Sequence, residues 1–341
     1  MKHTKILAIE SSCDETAVAI VEDGKNILSS VVATQIDVHK EFGGVIPEVA
    51  SRIHVENISI VLEEALKQAN LKVEDVDAIA VTQGPGLMGC LHVGVQAAKT
   101  LAWAYKKPLV PVHHISGHIY ANNFITDLKY PLLALVVSGG HTELVYMKDE
   151  WQFEILGMTQ DDAIGEAYDK VARVLQLPYP GGPQIDRLAK EGKPIYPLPR
   201  PKTEEKYDFS FSGLKSGVLQ FIDRCQRKGE SYTPADLASS FQETALHQLI
   251  EKMCYALDAY QPKQLLLAGG VAANSRLRQW ILEDIAHRYK EIEFVVPPLS
   301  CCTDNAAMIG AAGYVAYQHG ERADFSLTAD PSLDLQVKEK I

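Results

Sequence analysis

The segment PVHHISGH sets His114 and His118 four residues apart. On an α-helix, residues i and i+4 share a face, so the two imidazoles can converge on one point. Two converging imidazoles make half of a Zn²⁺ or Fe²⁺ site. The peptidase motif of this spacing, HExxH, carries its general base directly after the first histidine. Here that position is Ile115, so a metal is suggested while the metallopeptidase reading is weakened. The alternative is a pair of histidines lying on a helix surface. Asp304, in CCTDNAAM at the start of the last helix, either caps that helix or folds over the pair. In the second case two histidines and a carboxylate with open positions result, a set that suits Fe²⁺ and also Zn²⁺.

A second group of residues has the character of a nucleotide site. Ser138-Gly139-Gly140 and Gly269-Gly270 each follow a short apolar run directly. Without a Cβ, such turns let backbone N–H groups approach a phosphate closely. Two of them after buried strands favour a nucleotide cleft over two ordinary turns. Asn274 precedes a helix and is either its N-cap or a ligand contact at the cleft edge. Asp169 points away from the core face formed by Ala167, Val171, Val174 and Leu175, towards solvent or a ligand hydroxyl. Gly182 and Asp186 lie in YPGGPQID; the glycines permit a tight turn, and Asp186 is a helix-start charge or a ribose acceptor. Asp14 and Glu15 sit in SSCDET at the first hairpin, and with His141 they are candidate proton acceptors.

The elements that must position these residues follow from periodicity. Ile6–Ile9, Ala17–Val21 and Ile27–Val32 read as three strands with a turn at Asp23-Gly24. Ile58, Val61, Leu62, Ala65, Leu66 and Ala69 fall at helical spacing. A strand at Ala78–Val81, a Gly-Pro-Gly loop, a helix over Leu91–Tyr105 and a strand at Leu109–Val112 complete a first round. The pattern then restarts with strands at Leu132–Val137, Thr142–Met147 and Trp151–Met158. Helices over Glu166–Leu175 and Leu237–Met253 follow, then a strand at Leu265–Ala268 and a helix marked by Leu277, Trp280, Ile281 and Ile285. Residues 178–201, rich in Pro and Gly, read as loop with one short helix. Two rounds of meander and αβα units imply an α/β protein of two similar halves with a ligand cleft between them. The expected first lobe is 1–125 plus 305–341, and the second is 126–304.

Composition narrows the class. The chain has 341 residues, 46% hydrophobic and 23% charged, as in globular proteins. A net charge of −11 excludes a generic nucleic-acid binder, leaving only a local basic patch at Arg200, Lys202 and Lys206, or a solvated loop there. Six cysteines without a CxxC pair fit a reducing cytosol. The apolar run before Glu10 is too short for a signal peptide, and the run from Ala306 to Tyr317 is too short to span a bilayer. A cytoplasmic protein with no membrane contact is expected.

Long motifs in register make the chain recognisable. ESSCDETAVAI, GPGLMGCLHVG, HHISGH, VVSGGHTEL, YPGGP, FSFSGLKS, GGVAANSRLR and CTDNAAM occur in this order. Together they resemble the bacterial TsaD family of tRNA threonylcarbamoyladenosine transferases, formerly described as O-sialoglycoprotein endopeptidases. Cys301 before the CTDN motif, and Ser11 where a threonine is common, are minor departures. The resemblance implies the two-lobed fold of actin, heat-shock chaperone ATPases and sugar kinases (the ASKHA fold). It implies one divalent metal, Fe²⁺ first and Zn²⁺ as the alternative, on His114, His118 and Asp304. It places the substrate pocket at Val136, Val137, Ser138, Gly139, Gly140, Asp169, Gly182, Asp186 and Asn274. The implied reaction moves L-threonylcarbamoyl from threonylcarbamoyl-AMP to N6 of the adenosine 3′ of the anticodon, in tRNAs reading codons that begin with A. The implied partners are TsaB, of related fold, and TsaE, an ATPase. Three rivals are an ATP-dependent small-molecule kinase of the same fold, a metallopeptidase and a chaperone-like scaffold ATPase. The kinase leaves the histidine pair without a role, and the peptidase leaves the glycine turns without one.

Overall fold

A computed structural model describes residues 3–335. The chain divides into two compact units. One comprises Met1–Leu128, Trp151–Phe153 and Thr303–Ile341, the other Lys129–Glu150 and Glu154–Cys302. The sequence reading drew these divisions at 125 and 304.

The first unit is built on a five-stranded sheet of order β3-β2-β1-β4-β5. Its strands are β1 (Lys5–Glu10), β2 (Glu15–Glu22), β3 (Asn26–Thr34), β4 (Ala78–Gly84) and β5 (Leu109–His113). β1 runs antiparallel to β2 and parallel to β4. Ile6 to Ile9 are fully buried, as a central strand covered on both faces requires. The helices are α1 (Ile36–Lys40), α2 (Pro47–Ala69), α3 (Met88–Tyr105) and α4 (His114–Tyr120). α2 begins well before the expected Ile58, because Pro47 at its first turn starts the helix instead of breaking it. It ends at Asn70, which adopts the left-handed conformation.

The second unit repeats the plan with the order β10-β9-β6-β7-β8. Its strands are β6 (Leu132–Val137), β7 (Thr142–Met147), β8 (Phe153–Met158), β9 (Gln264–Ala268) and β10 (Glu293–Val295). β6 pairs antiparallel with β7 and parallel with β9, as β1 does with β2 and β4. Its helices are α5 (Ile164–Val174), α6 (Gly181–Ala189), α7 (Ser212–Lys228) and α8 (Pro234–Tyr260). α9 (Ser275–Gln279) runs through a π-helical turn at Trp280–Ile285 into α10 (Ala286–Arg288). The core of this unit gathers Phe241, Leu246, Leu249 and Met253 of α8 with Tyr168, Val171 and Leu133 and Leu135 of β6.

α7 was not anticipated. Gly213 and Gly217 dilute its signal, yet Leu214, Val218, Phe221 and Cys225 form a buried stripe. Gly217 is required by packing, since a Cβ there would lie 2.6 Å from Pro199. The start of α7 is held by Asp161, which accepts from the backbone N–H of Phe211 (2.7 Å) and Ser212 (3.1 Å) and from the Ser212 hydroxyl (2.8 Å). Burial raises the Asp161 carboxyl, but these bonds and that of Ser210 outweigh it and hold it below its ordinary value. A depressed carboxylate stabilises the fold above the unfolded value, and the contribution is lost as pH falls through the folded one. Asp161→Ala is therefore expected to lower stability by about 1 kcal/mol at pH 7, the typical worth of a helix cap. Urea unfolding should show this deficit shrinking as the pH is lowered towards 3, the wild type losing what the variant never had.

The last helix, α11 (Ala306–Gln318), is apolar on all sides and packs on the first sheet. Small residues allow a close approach: a Cβ on Gly310 would lie 2.5 Å from Val21. α11 also packs on α4, where a Cβ on Gly117 would lie 2.8 Å from Ile309. Among the described residues no helix is long and apolar enough to cross a membrane.

Candidate functional site

α4 starts where β5 ends, and His113 joins the two. Its Nδ1 accepts from the Ile115 N–H (3.1 Å), capping the helix, and its Nε2 donates to the Leu333 carbonyl (2.8 Å). Burial drives His113 down to about 4 against the bond to Leu333, so the ring is neutral. The first of the three histidines is thus a structural clamp.

His114 and His118 lie one turn apart, both buried, with ring centroids 4.7 Å apart and planes at 85°. Asp304 Oδ1 stands 3.1 Å from His118 Nε2 and 3.6 Å from His114 Nε2. One donor atom from each residue lies within 4.8 Å of the other two. Asp304 is released from capping because the Asn305 side chain takes that task, accepting from the Met308 N–H at 2.9 Å. The N-cap reading of Asp304 is thereby corrected: the cap is one residue further on.

The donor set fits a divalent ion. Ligands about 2.1 Å from one metal at tetrahedral angles stand roughly 3.4 Å apart, close to the separations seen. Neither ring nitrogen of His118 has a hydrogen-bond partner among the described residues, although the residue is only 1% exposed. Asp304 is near its Nε2 but not aligned for such a bond. Unsatisfied buried nitrogens are costly, and a bound cation would satisfy one of them. The surrounding carboxylates point the same way. Burial pushes Glu15 up to about 10, with the charges of Asp304 and Asp14 adding to it. A cation held by Asp304 would offset this crowding of negative charge.

Behind His114 lies a polar cluster that the sequence reading did not identify. Glu10, fully buried at the end of β1, has Oε2 3.1 Å from His114 Nδ1. The same oxygen accepts from Thr82 Oγ1 (2.7 Å), and Oε1 accepts from the Ser12 N–H. Ser12 Oγ stands 3.3 Å from His114 Nδ1. The available signal was a charged residue closing an otherwise apolar central strand.

In the second unit, Gly139, Asp169, Gly182, Asp186 and Asn274 line one cavity of about 420 Å³, with Tyr168, Arg187, Lys190 and Gly270. Val136 and Val137 are fully buried strand residues, and neither they nor Ser138 and Gly140 form its wall. Ser138 instead closes the turn with His141: its N–H donates to the His141 carbonyl (2.8 Å), and its Oγ accepts from the His141 N–H (3.0 Å). Asp169 accepts from the Gly181 N–H (2.6 Å) at the start of α6. Burial raises its carboxyl against that bond. Asn274 caps α9 through Leu277 N–H (2.9 Å), while its Nδ2 donates to Gln242 Oε1 (2.9 Å). Asp186 lies within α6, not at its start, and accepts from Ser275 Oγ (2.9 Å) and, at 3.3 Å, the Ser275 N–H that opens α9. It is a helix-start charge for a different helix. Of the suggested basic patch, Lys206 is engaged over the rings of Tyr207 and Tyr255, each 5.3 Å away.

Two sheets of matching strand order, each opening on a hairpin followed by parallel strands, place the protein in the ASKHA class. Solved structures show the same fold: HypF of T. kodakarensis (TM-score 0.65, 14% identity, 95% of this chain and 49% of that one). The ROK hexokinase of Thermus thermophilus gives a TM-score of 0.50 at 16% identity, over 93% of this chain and 99% of that one. The family described as TsaD, tRNA N6-adenosine threonylcarbamoyltransferase, matches residues 26–311. The tRNA N6-adenosine threonylcarbamoyltransferase of Bacillus cereus is 59% identical over 337 residues, 98% of each chain. The chain belongs to the TsaD family of transferases.

Proposed function

We propose that this protein transfers the L-threonylcarbamoyl group from threonylcarbamoyl-AMP to N6 of the adenosine 3′ of the anticodon, in tRNAs reading codons that begin with A. The observation that carries the reading is the convergence of His114, His118 and Asp304 donors within 4.8 Å, in a chain of this family. A kinase of the same fold has no use for that donor set.

In the reaction the N6 amine attacks the carbamoyl carbon. The bond from that carbon to the phosphate oxygen breaks, AMP leaves with the bonding pair, and the proton lost by the amine passes to the departing phosphate. His114, His118 and Asp304 would hold the cation, Fe²⁺ by preference and Zn²⁺ as the alternative. Such an ion supplies Lewis-acid stabilisation of developing negative charge. In the second unit the chain's own task is to bind and orient the adenylate. Arg187 and Lys190 on the cavity wall offset phosphate charge, the glycine N–H groups approach it, and Asp186 accepts from a ribose hydroxyl. TsaB and TsaE are the proposed partners, a separate enzyme supplies the adenylate, and the work is done in the cytoplasm.

The direct test incubates the metal-loaded protein with both partners, threonylcarbamoyl-AMP and unmodified tRNA, then digests the tRNA. The modified nucleoside is expected; its absence with active partners would overturn the reading. For the cavity, Asp186→Ala is expected to weaken AMP binding about tenfold, the worth of one hydrogen bond to a charged acceptor. Calorimetric titration checks this, and unchanged affinity would remove Asp186 from the ribose site.

A further inference from the structure

We propose that Glu10 is a positioning residue that fixes His114 as its Nδ1–H tautomer, so that the Nε2 lone pair is the one presented towards Asp304. This rests in part on the metal-centre reading above. Neutral imidazole has one N–H and one lone pair, and the bond made by one nitrogen decides the role of the other. Glu10 Oε2 stands 3.1 Å from Nδ1, and a carboxylate can only accept. Ser12 Oγ at 3.3 Å is compatible with the same tautomer, because a hydroxyl can accept as well as donate.

Glu10 is itself held in orientation. Its Oε1 accepts from the Ser12 N–H, and Thr82 Oγ1 donates to its Oε2 at 2.7 Å. With 0% exposure it has no open solvent to turn towards. The carboxylate therefore reaches His114 through a fixed frame of two neighbouring strands and the turn after β1. A carboxylate behind a ligating histidine also raises the basicity of the nitrogen facing the metal.

Glu10→Gln makes a sharp test, because it nearly keeps shape and volume. The Ser12 N–H needs an acceptor, which pins the amide oxygen at the Oε1 position. The NH₂ group then faces His114 Nδ1 and must donate to it. His114 is forced into the Nε2–H form, which closes the nitrogen meant for the cation, while the Thr82 hydroxyl rotates to accept. The expected result is a Zn²⁺ dissociation constant about 10- to 100-fold weaker, the usual effect of losing such an outer partner. Zn²⁺ is titrated against a competing chelator on the full chain.

The imidazole ¹⁵N shifts of the metal-free protein at neutral pH give a readout that a merely structural role would not move. Wild type should show a proton on His114 Nδ1, and Glu10→Gln should show Nδ1 without one. Wild-type His114 lacking a proton on Nδ1 overturns the proposal whether or not the variant folds. A folded Glu10→Gln with Nδ1–H retained and Zn²⁺ affinity within twofold of wild type also overturns it. If wild type takes up no Zn²⁺, the metal-centre reading falls separately, and the ¹⁵N pattern still decides what Glu10 does to His114.

Discussion

His114→Ala should reduce bound metal from one ion per chain to a trace and abolish threonylcarbamoyl transfer. With the imidazole gone, only His118 Nε2 and Asp304 Oδ1, 3.1 Å apart, remain to bind a cation. Loss of an outer-shell partner already weakens metal sites about 10- to 100-fold, so loss of a ligand itself should cost at least that much. The fold should survive, because α4 keeps its His113 cap and its packing on α11. Its metal-free stability should still drop by about 1–3 kcal/mol, since Glu10 stays buried with one partner fewer. Elemental analysis after dialysis, with circular dichroism as the control for folding, checks both halves. Full occupancy in a folded variant would sink the assignment of His114 as a ligand.

Phe241→Ala should produce the largest loss of stability among the substitutions considered, about 3–5 kcal/mol, as for other buried phenylalanines. Phe241 has no exposure and meets the Tyr168 ring edge to face at 5.0 Å. The vacated volume lies under the wall of the second unit's cavity, where Tyr168 and Asn274 stand. The next residue, Gln242, anchors Asn274 through the 2.9 Å bond to Nδ2. Two readouts should therefore move together: the urea midpoint falls, and AMP binding weakens even where the variant is fully folded. A stability loss below about 1 kcal/mol would mean that the core closes over the gap.

The strands were legible because buried central strands leave an unbroken apolar run, as in Leu132–Val137 and Ile6–Ile9. Helix ends were less so. The apolar positions alone leave out the helix starts, where Pro47 and Pro234 each stand in the first turn of a long helix. Trp151 was read into β8, but it adopts a positive φ and its N–H donates to the Tyr120 hydroxyl (3.1 Å), so the strand begins at Phe153. α7 was missed because its glycines, one of them set by the close approach of Pro199, mask a helical stripe. Within the site, the histidine pair declares itself because both members lie on one short helix. Asp304 was open between cap and ligand, and Glu10 was not identified, because both meet those rings only through tertiary packing. The cap shows the limit well: the sequence reading weighed only Asp304 for it, and the structure gives it to the adjacent Asn305.

The bond from His113 to the Leu333 carbonyl spans 220 residues of chain. During synthesis the helix bearing the histidine pair leaves the ribosome long before that carbonyl exists, and before Asp304. N-terminal segments generally begin to fold first, so an unfinished polypeptide displays two imidazoles with neither the third donor nor the clamp. Completion of the donor set thus waits for synthesis of the segment that carries Asp304 and Leu333, and a product truncated before Asp304 is poorly equipped to retain an ion.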